Sequence, residues 1–353
     1  MIVKNQPIIL LGLVLVFFVT LIHYPWDSFS GRGLSIPYNI LILFVWVPVV
    51  SVLALIVITK RKIKFDDFFL LSLFFFVFML IPLIWTKDIV AGGLKVGFVG
   101  LGVLSYFCFL NWSGVKKSYI VSAIATLTLV ELLFGIIQKW EIFNWLLVDG
   151  VDYSRPLGIF GQTNVFSSFI VIGLVCSYLC IRNKGWIGRV ILIVPLLVPY
   201  CLSMTLSRVG ILSLAVVSIL LVGVWHYEGR REIHKTWWKC FIFGCLLASF
   251  NVFVVRDYDF NLNDRIAFNN NSSAVRVETW VNSARMILER PLTGYGYGSF
   301  VPQYSQWWSQ RTLANEAVGL YGLSMEHPHN EVVLFLFEGG LFLGKVFFSW
   351  LFL

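Results

Sequence analysis

Two imidazoles and two carboxylates fall within six residues at Glu326-His327-Pro328-His329-Asn330-Glu331, where a polar stretch meets an apolar run. An imidazole with a pKa of about 6.5 accepts a proton near neutral pH, so His329 is the candidate general base. His327, Glu326 and Glu331 are placed to orient or tune it. The competing reading is a solvated loop histidine that helps to cap the next helix. Histidines two residues apart also suit a metal, but no third ligand accompanies them, and no metal site is expected.

Arginines gather in three other polar segments. One runs Arg155-Pro156-Leu157-Gly158-Ile159-Phe160-Gly161-Gln162-Thr163-Asn164. The second is Thr205-Leu206-Ser207-Arg208-Val209-Gly210. The third holds Arg276, Arg285 and Arg290, then Pro291 through Gly298. A guanidinium fork pairs with phosphate oxygens, and a diphosphate at a membrane surface needs several such donors. Any one of these arginines equally suits an acid or a lipid headgroup. Arg208 stands out because its loop is otherwise uncharged. Gly294, Gly296 and Gly298 imitate a phosphate-cradling loop, but no strand precedes them, so tight turns are the expected use.

Lys95 and Glu131 lie inside apolar runs, at similar depths below the same membrane face. Ionisable groups there are costly and usually paired. The expectation is a Lys95–Glu131 ion pair lining a polar cleft, with Lys95 snorkelling to the headgroups as the alternative.

The elements that must position these groups are membrane spans. Hydrophobic residues make up 58% of the 353 residues and charged residues 13%, against about 25% charged in a soluble domain. Ten apolar runs of spanning length recur, near 8–24, 37–59, 68–86, 89–110, 118–138, 164–181, 186–203, 209–225, 238–255 and 331–353, the last being the least regular. The expected fold is all-α, a polytopic membrane protein. The first run lacks a small-residue cleavage site after it and reads as a retained span. The six cysteines fall in or beside apolar segments and read as buried thiols.

The net charge of +8 comes from short basic clusters between spans, which argues against nucleic acid. Lys4, Lys60 to Lys64, Lys116, Lys117, Arg182, Lys184, Arg189, Arg230, Arg231, Lys235 and Lys239 mark one side. The four loops before residue 256 on the other side carry only Arg32, Lys87, Lys139, Arg155 and Arg208. Positive charge marks the cytoplasm, so the N-terminus is expected inside and the candidate residues outside.

The expected organisation is a transmembrane bundle over 1–255 with a polar segment at 139–164, a large external loop over 256–330 and a last span over 331–353. Loops this long usually carry function. Asn261 to Ser273 reads as a mobile stretch. A surface helix comes next, capped by Ser272 or Ser273, with Val277, Trp280, Val281, Ala284, Ile287 and Leu288 on one face and Pro291 as its stop. The chain ends inside an apolar run, the pattern of a fragment of a longer protein.

These pieces together resemble the superfamily of O-antigen ligases, O-antigen polymerases and bacterial O-oligosaccharyltransferases. Arg276 through Trp280, continuing to Glu289-Arg290-Pro291-Leu292-Thr293-Gly294-Tyr295-Gly296, resembles its large periplasmic loop. His329-Asn330 followed by Gly340 resembles its histidine motif, and Ser207-Arg208 its short arginine loop. Gly158 through Asn164 is similar to the Gly-Gln-Pro-Asn segment of the pilin-type protein O-oligosaccharyltransferases, although Thr163 replaces the proline. His-Pro-His-Asn and Glu338-Gly339-Gly340 also look like that branch. Leu343 stands where the family has a small residue, and the family's remaining C-terminal spans are missing.

The resemblance implies a donor, an undecaprenyl-pyrophosphate-linked oligosaccharide, and an acceptor, a Ser or Thr hydroxyl on an exported protein such as a pilin. It implies inversion and no metal or other cofactor. His329 would take the hydroxyl proton, Arg208 and Arg276 would stabilise the departing diphosphate, and Gln162 would hold sugar or acceptor, with Asn164, Arg155 and Lys95 completing the substrate-binding set. The implied setting is the outer face of the bacterial inner membrane, among membrane lipids. Alternatives are a lipid A-core ligase or O-antigen polymerase with the same donor, a non-catalytic transporter of lipid-linked sugars, and an inactive remnant.

Overall fold

A computed structural model describes residues 40–59, 63–111, 117–143, 153–181, 190–229, 232–253, 271–314, 327–328 and 330–351. The chain is an all-α polytopic membrane protein, and among the described residues there is no strand. In chain order the helices are α1 (Ile40–Ile58), α2 (Asp67–Leu80, extended by a tighter turn to Ile84), α3 (Ile89–Asn111), α4 (Lys117–Lys139), α5 (Thr163–Cys180), α6 (Ile193–Thr205), α7 (Arg208–Tyr227), α8 (Glu232–Phe253), α9 (Asn271–Glu289), α10 (Phe300–Leu313) and α11 (Glu331–Leu351). Each expected span among the described residues falls on a helix; the expected span at 8–24 lies outside them. Among the described residues, six helices are long and apolar enough to cross a membrane, those over Asp67–Ile84, Ile89–Asn111, Ile120–Lys139, Thr163–Cys180, Arg208–Tyr227 and His234–Phe253.

The chain divides into two compact units. The first contains α4 to α8. Its core is Leu132, Phe166, Ile170, Leu174, Val194, Val198 and Leu202. Polar bonds cross between its helices: Trp237 Nε1 donates to Ser177 Oγ at 3.0 Å, Asn251 Nδ2 to Ser203 Oγ at 3.0 Å and Ser167 Oγ to Thr205 Oγ1 at 3.1 Å. Such bonds fix helix pairs where lipid gives apolar surfaces no reason to seek one another. Outward, α7 exposes Val209, Ile211, Leu212, Val216, Ile219 and Leu220, as a hydrocarbon solvent requires. Cys176, Cys180 and Cys201 are buried free thiols, as is Cys108 of the second unit, whereas Cys240 and Cys245 are half-buried rather than buried as expected.

The second unit contains residues 47–112 and 260–353. At one end of the α2–α3 pair, Asp66 caps α2 by accepting from Phe69 N at 2.8 Å and takes Tyr106 OH at 2.6 Å. At the other end, α9 and α10 pack over α11 through Met286, Tyr295, Phe300, Tyr304, Trp307, Trp308, Leu334 and Phe337. The surface helix begins at Asn271, so Ser272 and Ser273 lie in its first turn rather than before it. Its inward face is Thr279, Asn282, Ser283 and Met286, while Val277, Val281 and Leu288 are exposed. The sequence period is right, and the apolar stripe faces away from the unit.

Candidate functional site

In the first unit the polar groups collect at one end of the bundle. Side chains of α4 hold residues 154–159 there. Gln138 Oε1 accepts from Leu157 N at 3.0 Å and Gly158 N at 2.8 Å, and Gln138 Nε2 donates to Gly158 O at 3.1 Å. Glu131, only 2% exposed, accepts from Ile159 N at 3.2 Å. Lys139 Nζ donates to Ser154 O at 3.2 Å. A loop whose amides are satisfied by side chains beneath it holds its remaining groups in a fixed direction. This loop carries half-buried Arg155 and leads into exposed Gln162, in the N-cap position of α5, and exposed Asn164.

The arginine loop meets this segment. Ser207 Oγ donates to Asn164 Oδ1 at 2.9 Å and accepts from Gly210 N at 3.1 Å, capping α7. Leu206 adopts a left-handed conformation, φ 53°, to turn the chain from α6 into α7, a costly choice for a branched side chain. Arg208 is therefore the first residue of α7 and is exposed. The amides of a helix N-terminus favour anions, and its guanidinium adds to that field. Arg208, Gln162, Asn164 and Arg155 thus share one end of one unit.

In the second unit Arg276 is exposed on α9. His329 lies outside the described residues, but both its neighbours are held. Trp280 Nε1 donates to Pro328 O at 2.7 Å. Asn330 Oδ1 accepts from Val332 N at 3.0 Å and Val333 N at 3.3 Å, capping α11. His327 Nε2 lies 3.4 Å from Glu331 Oε1, so two of the groups read as tuning His329 contact each other. Glu326 lies outside the described residues.

The expected Lys95–Glu131 pair is not formed. Lys95 Nζ is ion-paired with Glu338 Oε2 of α11, and Glu131 serves the Ile159 amide instead. Similar depth along the membrane normal does not decide which helices are neighbours. Glu338, Gln138 and Trp280 are the residues that sequence reasoning left out of the site. The signal for Glu338 was its place before Gly339-Gly340 inside an apolar run, where a helix break needs polar support.

That break is real. Gly340 has φ 67° and ψ −170° inside α11. The carbonyls it frees are taken by the loop after α9: Tyr295 N donates to Phe337 O at 2.9 Å and Gly296 N to Glu338 O at 2.9 Å, while Leu341 N donates to Pro291 O at 2.7 Å. Gly294, Gly296 and Gly298 all have positive φ, 64°, 88° and 66°, and form the expected tight turns. Below this loop, Glu289 gathers Trp307 Nε1 at 2.8 Å, Tyr295 OH at 3.1 Å and Arg311 Nη2 at 3.0 Å. Burial acts to raise the Glu289 pKa, but these three donors outweigh it and hold the carboxyl below its ordinary value. Burial, then the hydrogen bond to Glu289, pushes the Tyr295 phenol up to about 12.

Residues 191–348 match the family model described as O-Antigen ligase, a stretch that takes in Arg208, Arg276 and the histidine segment. Over 218 residues the chain is 24% identical to the ComP-specific O-oligosaccharyltransferase of Acinetobacter baylyi (strain ATCC 33305 / BD413 / ADP1). That match covers 58% of this chain and 38% of the relative, so the chain spans well under two thirds of the relative's length. No solved structure matches the chain. The resemblance to the O-antigen ligase superfamily, close to the pilin-type O-oligosaccharyltransferases, is borne out by these matches.

Proposed function

We propose that this chain, which matches the O-antigen ligase family model over residues 191–348, transfers an oligosaccharide from an undecaprenyl-pyrophosphate carrier to Ser or Thr hydroxyls of exported proteins. The reaction takes place at the outer face of the bacterial inner membrane, with the N-terminus cytoplasmic. The bundle over 1–255 supplies the membrane scaffold, and the 256–330 loop supplies Arg276. The acceptor oxygen attacks the anomeric carbon, the bond from that carbon to the diphosphate breaks, and the hydroxyl proton passes to His329. Arg208 and Arg276 stabilise the diphosphate as its charge develops. Gln162, Asn164 and Arg155 hold the sugar or the acceptor.

The observation that carries this reading is the bond from Ser207 Oγ to Asn164 Oδ1 at 2.9 Å. It joins the Gln162–Asn164 segment to the Arg208 loop, two motifs 43 residues apart. The likeness to a relative named a ComP-specific O-oligosaccharyltransferase, with the pilin-type form of the Gly158–Asn164 and His327–Asn330 motifs, favours a protein acceptor over a lipid one. A lipid A-core ligase or O-antigen polymerase uses the same donor and differs only at the acceptor.

The test is reconstitution of the full-length protein in proteoliposomes with a lipid-linked oligosaccharide and a pilin, scored by glycosylated pilin and released carrier diphosphate. Transfer that falls in R208A and R276A supports the reading. Transfer to lipid A-core but never to protein moves the acceptor to the alternative. Undiminished transfer in R208A/R276A removes the arginines from the mechanism.

A further inference from the structure

We propose that Lys95 and Glu338 are positioning residues for the transfer reaction: by bracing the broken helix α11 they fix Asn330, the residue after His329, at its entry. The inference rests on His329 acting as the base.

Glu338 is 3% exposed and fully used. One carboxylate oxygen meets the Lys95 ammonium, and the other accepts from Gly298 N at 2.9 Å. The ammonium lies 5.6 Å from the ring centroid of Tyr297 and 5.1 Å from that of Phe335, within range of the favourable attraction of a cation to aromatic rings. Three chain segments therefore converge on one ion pair: α3, the 295–298 loop and the turn of α11 that carries Phe335 and Glu338.

Stability alone does not explain two charges here. Desolvating a carboxylate and an ammonium offsets most of their attraction, and apolar residues of the same volume usually hold a fold as well. A charged pair instead enforces one geometry, because each partner is strongly disfavoured anywhere else. That geometry matters at this position. Residues 331–339 form a strut of about two and a half turns, bounded by the Asn330 cap and the Gly340 break. Asn330 is bonded directly to His329. The Lys95–Glu338 pair holds the far end of the strut, and the Trp280 bond to Pro328 O holds the approach to the near end. A shift of about 1 Å at a reacting group can cost roughly a hundredfold in rate.

The experiment compares wild type, K95M/E338Q, E338D and H329A as full-length proteins in the same proteoliposome assay, with thermal melts and amide hydrogen exchange. K95M/E338Q keeps the volume of the pair and removes both charges. The expected result is a melt close to wild type, kcat lower by about ten- to a hundredfold, unchanged KM for the lipid-linked donor, and faster exchange at the Tyr295, Gly296, Gly298 and Leu341 amides. Wild-type kcat in K95M/E338Q, or a loss confined to KM, overturns the inference. If K95M/E338Q does not fold, E338D decides instead: it keeps the charge and withdraws the carboxylate by one methylene, so lower kcat at constant KM supports the inference and wild-type kcat overturns it. H329A separates the two readings. Inactive H329A beside fully active K95M/E338Q defeats the positioning role alone, whereas active H329A defeats the base assignment and the positioning role with it.

Discussion

The hydroxyl of Ser207 donates to Asn164 Oδ1 at 2.9 Å while the same oxygen accepts from Gly210 N at 3.1 Å. One side chain thus caps α7 and ties it to the start of α5. Asn164→Ala leaves the cap in place and removes the tie, which costs about 1 kcal/mol of stability. It also loosens the connection next to Arg208. The expected outcome is a small fall in melting temperature and a severalfold rise in donor KM, both reversed in Asn164→Asp, which keeps an acceptor. Donor titration of the three proteins checks this; unchanged KM in Asn164→Ala would separate the Asn164 segment from donor binding.

Gly340 is required by conformation and by space. Its φ of 67° with ψ of −170° suits glycine almost alone, and a Cβ there would stand 2.3 Å from Leu292 O. Gly340→Ala is expected to cost roughly 3 kcal/mol or more and to lower the yield of monodisperse protein sharply. Gly102→Ala in α3, where a Cβ meets nothing within 4 Å, should be neutral or stabilising by up to about 1 kcal/mol. Size-exclusion profiles of the extracted variants distinguish the two. Equal profiles would mean that the break in α11 is not a fixed feature of the fold.

Glu289 makes stability depend on acid pH. Its folded pKa lies below the ordinary 4.5, so its contribution is fully present above that value. The contribution is lost as pH falls below 4.5 and through the folded value. The difference in melting temperature between wild type and Glu289→Gln should therefore be constant from pH 7 down to about 5 and shrink below 4.5. A difference that grows on acidification would give the wrong sign for the linkage.

The spans were legible because about twenty apolar residues in a row have few other uses, and the basic loop residues add an independent count. The Gln162–Asn164 and Arg208 motifs stood out as polar segments, but the Ser207–Asn164 bond joining them did not, because nothing local specifies which loops meet. Lys95 shows the same limit. Its need for a partner came from its surroundings, whereas the partner, Glu338, is 243 residues away. For α9 the helical period was readable but not its orientation, since beside a membrane an apolar stripe does not have to face protein. Gln138 was hidden because a glutamine near a span end has many ordinary uses, and only the loop folded onto it shows that it holds Leu157 and Gly158.

The central claim is that His329 takes the acceptor proton in a transfer from a lipid diphosphate. The direct measurement is the single-turnover rate of oligosaccharide transfer to pilin by full-length His329→Ala, with donor binding measured on the same protein. The account predicts a rate lower by about 10²–10⁴-fold with donor affinity retained. A wild-type rate with donor bound would contradict it.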